Sequence, residues 1–189
     1  MTSIAERLQR ILAQPLDYVH PQRLQLPPEF AGSEARCALN RLLVEGLGQP
    51  QLLPATPQTA VAQAWIRQWQ QLPYIAALMG AWRLFPYLSR GAALQALSLP
   101  VRRFAGCRPG RRPPLPVGLS SSPMQQVEVA GLNALCSWSD VISPSLLARL
   151  PLQFSAEVVE LHKQWPEAEP DQTLFFLAVQ HARLYPNPD

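Results

Sequence analysis

Residues 65–85, WIRQWQQLPYIAALMGAWRLF, decide the fold of this chain. The stretch holds three of the five tryptophans and no acidic residue. Apolar side chains recur at the spacing of a helical face, first at Val61, just before the stretch, and at Trp65, Trp69 and Leu72, then at Tyr74, Leu78, Met79, Trp82 and Phe85. Burying such rings removes a large apolar area from water, so most of them belong inside the protein. The expected structural core is Trp65, Trp69, Leu72, Leu78, Trp82 and Phe85. A partly exposed aromatic patch that docks a partner is the alternative.

Pro73 divides this stretch into two helices. Its ring has no backbone N–H, and it disfavours the α conformation of the preceding Leu72. We therefore expect one helix to end at Leu72 and the next to begin with Pro73 in its first turn. On the same grounds, Pro86 is expected to end the second helix and Pro100 a shorter helix after it.

Other helix boundaries have capping signals. The pairs Ser3–Glu6 and Ser122–Gln125 each have the spacing of a capping box. Asp171 is placed to cap the last helix. Ser33 is expected to be the N-cap of a helix with one apolar face, formed by Ala35, Leu39, Leu42 and Leu43.

The composition predicts an all-α fold. Leu and Ala number 53, whereas the β-branched Val, Ile and Thr number 20, and the first group favours helices. A chain of 189 residues buries a sizeable core without disulfides or a metal. We expect a single helical domain over residues 1–189, an irregular bundle of about seven or eight helices joined by proline-rich connectors.

The net charge of +3 conceals a strong polarity along the chain. Residues 46–127 hold eight arginines and no acidic residue, whereas residues 128–189 hold three bases and eight acids. Only Lys163 among the 16 basic residues is a lysine, and arginine is favoured at protein interfaces. We hypothesise that the oppositely charged segments meet different partners through charge complementarity.

An arginine-rich and proline-rich loop is expected at 101–118, VRRFAGCRPGRRPPLPVG. A docking loop, a polyproline II segment and a solvated connector are all open interpretations. With the acidic turn at 166–171, the loop supplies the candidate partner-binding residues. These are Arg102, Arg103, Arg108, Arg111, Arg112, Glu167, Glu169 and Asp171.

The sequence contains no pattern typical of catalysis. Phosphate-binding loops, dinucleotide-binding motifs, HExxH and GxSxG are absent, so we expect no enzyme, no cofactor, no metal and no small-molecule substrate. The three cysteines are widely spaced and predict reduced thiols. No secretory signal or membrane-spanning run is visible, so we expect a cytoplasmic protein without membrane insertion. An arginine-dependent, non-specific nucleic-acid-binding module is the competing function, and an amphipathic membrane helix is a weaker one.

Four blocks of sequence resemble a known family. They are RILAQPLDYVHPQRLQLPPEF at 10–30, WIRQWQQLPYIAALMG at 65–80, LNAL at 132–135 and LAVQHARLYPN at 177–187. In this order they resemble the OrgA/MxiK family, the SctK component of bacterial type III secretion systems. The loop at 101–118 departs most from the family pattern, so a shared interface there is in doubt.

The resemblance implies a mostly helical cytoplasmic protein without catalysis. Such proteins act in the sorting platform beneath the injectisome, at the cytoplasmic face of the inner membrane. There they join the cytoplasmic domain of the inner-membrane ring protein, SctD, to the pod protein, SctQ. The expected partners are therefore SctD and SctQ, with nucleic acid as the alternative.

Overall fold

The computed structural model describes residues 2–30, 32–48, 58–90, 92–114 and 122–186. These residues form nine α-helices and no strand, which confirms the all-α fold class. The helices are α1 (Ile4–Ala13), α2 (Ser33–Gly46), α3 (Ala60–Arg67), α4 (Leu72–Leu88), α5 (Leu99–Ala105), α6 (Pro123–Cys136), α7 (Pro144–Leu147), α8 (Ala156–His162) and α9 (Gln172–Leu184). Short 3-10 turns occur at Pro15–Asp17, Pro28–Phe30, Trp69–Gln71, Ala92–Ala96 and Leu150–Gln153.

The chain divides into two compact units. Unit 1 consists of Met1–Gln70 and Ser139–Ala156, and unit 2 of Gln71–Trp138 and Glu157–Asp189. Unit 1 contains α1, α2, α3 and α7, and unit 2 contains α4, α5, α6 and α9. A single domain over residues 1–189 stays a prediction.

Pro73 lies in the first turn of α4, as predicted. The preceding helix ends earlier than expected, because α3 stops at Arg67 and a 3-10 turn covers Trp69–Gln71. Proline is tolerated in the first turn since the N–H that it lacks would have no partner within the helix there. The deciding stretch therefore contributes the end of α3 and nearly all of α4.

The prediction that Pro86 ends a helix is wrong. Pro86 lies inside α4, which continues to Leu88. A proline in this place deprives the carbonyl of Trp82, four residues earlier, of its helical donor. The Nε of Arg112 donates to that carbonyl at 2.9 Å and replaces the missing hydrogen bond. A distant side chain thus allows the helix to continue.

The predictions for residues 88–105 also need correction. Ala92–Ala96 form a 3-10 turn, and Pro100 lies in the first turn of α5 where we expected the end of a helix. The expected irregular loop at 101–118 is helical up to Ala105, because Val101 and Phe104 are buried against the rest of unit 2. Residues 106–114 are irregular, and the remainder of the predicted loop, 115–118, lies outside the described residues.

The predicted caps of α1, α6 and α9 are confirmed, but the prediction that Ser33 caps α2 is wrong, because Gly32 is the N-cap and Ser33 is the first helical residue. Ser3–Glu6 and Ser122–Gln125 form complete capping boxes, and the carboxylate of Asp171 accepts from the backbone N–H of Leu174 at 2.9 Å. The structure buries the side chains of Trp65, Trp69, Leu72, Leu78 and Trp82. Phe85 is half-buried because its ring lies beneath the Arg112 guanidinium.

The core of unit 2 is the crossing of α4 and α6. Gly80 of α4 lies against the backbone of Val127, and Gly131 of α6 lies against the backbone of Ala76. A Cβ atom at either glycine would overlap a carbonyl oxygen of the opposite helix. The two backbones can therefore approach this closely only because both positions are glycine.

Candidate functional site

Unit 2 contains an open groove of about 880 Å³, here called the charged groove. It is lined by α4, α6, the beginning of α9 and two irregular segments, 111–114 and 165–171. Four buried apolar side chains form its base: Met79, Trp82, Ala134 and Leu174. Charged side chains of both signs line it as well, so an apolar surface is framed by charge.

Five of the eight predicted partner-binding residues line this groove. They are Arg111, Arg112, Glu167, Glu169 and Asp171. The basic and acidic segments of the sequence thus come together within one unit. Our hypothesis that they meet different partners stays a prediction. Separation along the sequence no longer supports it, because residues of both charges line one groove.

The other three predicted residues do not line the groove. Arg102 and Arg103 belong to α5, where a guanidinium N–H of Arg102 donates to the side-chain oxygen of Gln95. Arg108 is exposed in the segment that follows α5. In the sequence, the arginines of 101–112 form one cluster. In the structure, only Arg111 and Arg112 line the groove, and the others lie outside it.

Arg112 is held in the groove wall by interactions within unit 2. Its guanidinium donates to the carbonyls of Trp82, Ala105 and Cys107 at 2.8 to 3.0 Å. It also lies 5.2 Å above the Trp82 ring and 4.8 Å above the Phe85 ring, within the range of cation–π attraction. Burial, followed by the neighbouring charge of Arg108, lowers the pKa of Arg112. Arg112 therefore shapes the groove, and its role as a partner contact stays a prediction.

The acidic side of the groove is tied to α6 through Asn133. The amide of this buried residue donates to the carbonyl of Pro166 at 2.9 Å and accepts from the guanidinium of Arg83 at 3.3 Å. Arg83 donates in turn to the carbonyl of Ala130, and burial lowers its pKa. Glu167 and Glu169 follow the anchored Pro166 and are exposed. The backbone of this acidic turn is thus positioned while the carboxylates of Glu167 and Glu169 face solvent.

Sequence reasoning missed Arg83 and Asn133 as parts of the site. The signal was present for Asn133, a polar residue surrounded in sequence by the apolar LNAL block of α6. A buried polar side chain needs hydrogen-bond partners, so such a residue predicts a structural contact. Arg83 gave no comparable signal, because arginines also occur on exposed helix faces.

The described residues contain no cluster of three or more His, Cys, Asp or Glu side chains suited to a metal ion. Cys37, Cys107 and Cys136 are free thiols, and burial raises the pKa of Cys136 to about 11. Within the same part of the chain, no helix is long and apolar enough to cross a membrane. The groove offers charge and apolar area, which suit binding.

The sequence pattern of one family, described as a bacterial type III secretion apparatus protein (OrgA/MxiK), matches residues 8–184. The chain belongs to the OrgA/MxiK family. Oxygen-regulated invasion protein OrgA of Salmonella typhimurium is 34% identical over 184 residues, which cover 95% of this chain and 88% of that protein. OrgA of two further strains matches equally well. No solved structure matches the chain.

Membership in the OrgA/MxiK family confirms the resemblance noted from the sequence. This OrgA/MxiK protein is a component of the type III secretion apparatus, and the family is structural and non-catalytic. Other proteins of the apparatus are therefore its partners. The charged groove is the part of unit 2 in which most of the predicted contact residues meet.

Proposed function

We propose that this chain, over residues 1–189, is a single helical adaptor at the cytoplasmic face of the inner membrane. It links the cytoplasmic domain of the ring protein SctD to the pod protein SctQ of the same secretion system. Family membership supports the role in the apparatus, and the charged groove is the observation that supports a docking function.

The groove suits a protein segment that carries charges of both signs. The apolar area from which a partner can remove water lies on Pro113, Pro114, Trp165 and Pro166, which line the groove and are half-buried or exposed. Arg111 and the pair Glu167 and Glu169 are exposed and offer opposite charges to a partner. Charged pairs of this kind increase the rate of encounter and exclude wrong partners. A partner segment with one acidic and one basic side, flanking an apolar centre, fits this arrangement.

The acidic turn argues against nucleic acid in the groove. A phosphate backbone presents negative charge all along its length, so Glu167 and Glu169 would repel it where Arg111 attracts it. A protein segment can satisfy both sides. The groove therefore favours the adaptor function over the nucleic-acid-binding alternative.

The groove is tested by charge reversal at exposed residues. Arg111→Glu and Glu167→Lys are measured for binding to the purified SctD cytoplasmic domain and to SctQ, with Arg90→Glu as the matched control outside the groove. We expect each groove variant to weaken binding of one partner about tenfold without lowering the Tm. The control should bind like the wild type.

Three results would contradict the proposal. A wild-type chain that binds neither partner would remove the adaptor function itself. Groove variants that bind both partners with wild-type affinity and salt dependence would remove the groove as the docking site. Binding to a DNA duplex that is lost in Arg111→Glu would favour the competing function.

A further inference from the structure

Trp165 differs from the other four tryptophans of the chain. Those four are buried, and none of them is more than 7% exposed, whereas Trp165 is half-buried. It lies in the wall of the charged groove, at the beginning of the segment 165–171. The indole is a large apolar group with one polar N–H, so its accessible part can contribute both apolar area and a hydrogen bond to a ligand.

The indole of Trp165 has no partner of its own in the described part of the chain. Trp82, by contrast, donates its ring N–H to the carbonyl of Cys107 at 3.0 Å and lies beneath the Arg112 guanidinium. Among the residues that the structure describes, none accepts a hydrogen bond from Nε1 of Trp165, and no ring or guanidinium stacks on it. A donor and an apolar ring are thus both free in the groove.

The backbone on both sides of this indole is fixed. The N–H of Trp165 donates to the carbonyl of His162 at 3.0 Å, at the end of α8. The next carbonyl, that of Pro166, accepts from the amide of Asn133 in α6. A side chain on an already ordered backbone loses less conformational freedom when a partner binds. Trp165 is therefore suited to be an energetically dominant contact, a role in which tryptophan is enriched.

The walls of the groove limit how a partner can bind. Four of the lining residues are prolines: Pro113, Pro114, Pro166 and Pro170. A proline has no backbone N–H, so these walls cannot add a strand of the partner by regular main-chain pairing. Hydrogen bonds to a partner must come from side chains such as the Trp165 indole and the exposed guanidinium of Arg111.

We infer that Trp165 is the anchor of the charged groove and binds an extended segment of a protein partner. An apolar residue of that segment packs on the indole, and a main-chain carbonyl accepts from Nε1, since the carbonyls of an extended chain are free. A helix could not use this donor in the same way, because its carbonyls are hydrogen-bonded within the helix. This inference rests on the proposed function, because an apparatus protein is to supply the segment.

The charges beside the indole favour protein over nucleic acid. Tryptophan side chains also stack on the bases of single strands. Glu167 and Glu169, however, are exposed two and four residues after Trp165, and their charge repels a phosphate backbone. A protein segment with a basic residue toward these carboxylates and an acidic residue toward Arg111 satisfies both walls.

The first test measures the accessibility of Trp165 in the full chain. Acrylamide quenches exposed indoles, so the difference in quenching between the wild type and Trp165→Phe isolates Trp165, because all other tryptophans contribute to both signals. We expect a saturating amount of either the purified SctD cytoplasmic domain or SctQ to abolish most of this difference. Single-stranded oligothymidine should leave it unchanged.

The second test compares affinities for the same partner. Trp165→Ala should weaken binding at least about thirtyfold, as expected for an anchor residue. Trp165→Phe keeps a ring but has no N–H, and it should weaken binding about fivefold. Tyr87→Ala is the matched control, because Tyr87 is 37% exposed and does not line the groove. The control should bind like the wild type.

Each other result overturns the inference. If both proteins bind and neither shields the indole, Trp165 is not the anchor, although the adaptor function remains. Full affinity in Trp165→Phe together with a large loss in Trp165→Ala would mean that no carbonyl uses Nε1, as for a bound helix. Shielding by oligothymidine would assign the indole to nucleic acid, and shielding that grows with the concentration of the chain alone would assign it to a second copy. A wild-type chain that binds neither protein would remove both the anchor and the proposed function.

Discussion

Helices α4 and α2 have apolar residues at helical spacing, yet their surroundings differ completely. In α4, eleven of seventeen residues are buried, whereas none of the fourteen residues of α2 is. α4 is apolar on nearly every side and carries Gly80 at its crossing with α6. α2 has a single apolar stripe, and its Leu42 is 62% exposed. Apolar periodicity thus predicts that a helix forms, but it does not predict that its stripe is covered.

The largest expected effect comes from filling the α4–α6 crossing. Gly131→Leu would place a side chain against the backbone of Ala76, which cannot move away without separating the helices. We expect a loss of at least about 3 kcal/mol in the free energy of unfolding, since overpacking against backbone is poorly relieved. Urea unfolding followed by circular dichroism measures it.

Gly46→Ala is the matched control in α2, because nothing lies within 4 Å of a Cβ at that position. It should leave stability unchanged or raise it slightly. If Gly131→Leu unfolds at the same urea concentration as this control, the close crossing of α4 and α6 is refuted.

The next largest effect is expected at Trp69 in unit 1. This residue is buried, and its ring packs edge-on against Tyr18 with the ring centroids 5.3 Å apart. Trp69→Ala should cost about 3 to 5 kcal/mol of unfolding free energy, the usual result of deleting a buried large aromatic side chain. A variant that melts normally and loses only partner binding would instead place Trp69 at an interface.

Arg112 is expected to have a smaller effect on stability. Arg112→Ala removes the donor to the Trp82 carbonyl and should cost about 1 to 3 kcal/mol. Arg112→Lys should not restore the loss, because an ammonium cannot reproduce the planar set of donors. Arg111→Ala, at the exposed neighbouring position, is the control and should melt like the wild type.

A double-mutant cycle tests whether the hydrogen bond from Arg112 replaces the helical hydrogen bond that Pro86 removes. Pro86→Ala restores a backbone N–H that can reach the Trp82 carbonyl. In that background, Arg112→Ala should cost less than in the wild type. Equal costs in both backgrounds would show that Arg112 does not substitute for the missing helical bond.

The smallest expected effect is at Leu42 of α2. Leu42→Ser should change the free energy of unfolding by less than about 0.5 kcal/mol, because the side chain is already mostly in water. A loss above about 1 kcal/mol, measured by the same urea titration, would mean that α2 is covered in solution. The contrast with α4 would then disappear.

Local chemistry made much of the fold predictable. The capping boxes at Ser3 and Ser122, the cap at Asp171 and the first-turn position of Pro73 follow from interactions within three or four residues. Pro86 could not be predicted correctly, because its tolerance depends on Arg112, which lies 26 residues further along the chain. Sequence patterns contain no information on such contacts.

The candidate site was predictable only in part, because sequence patterns do not show which distant segments meet. Runs of charge identified Arg111, Arg112, Glu167 and Glu169 as unusual, but only the packing of unit 2 shows that they line one groove. Helix α5 could not be predicted from the sequence. The sequence around Pro100 predicts the end of a helix, although this proline lies in the first turn of one.

The adaptor function is tested most directly by assembling the three proteins together. The full chain is mixed with the purified SctD cytoplasmic domain and SctQ, and the products are analysed by size-exclusion chromatography with light scattering. The linking role predicts one complex that contains all three proteins, and no complex of SctD with SctQ when the chain is omitted. Displacement of one partner by the other would contradict the linking role.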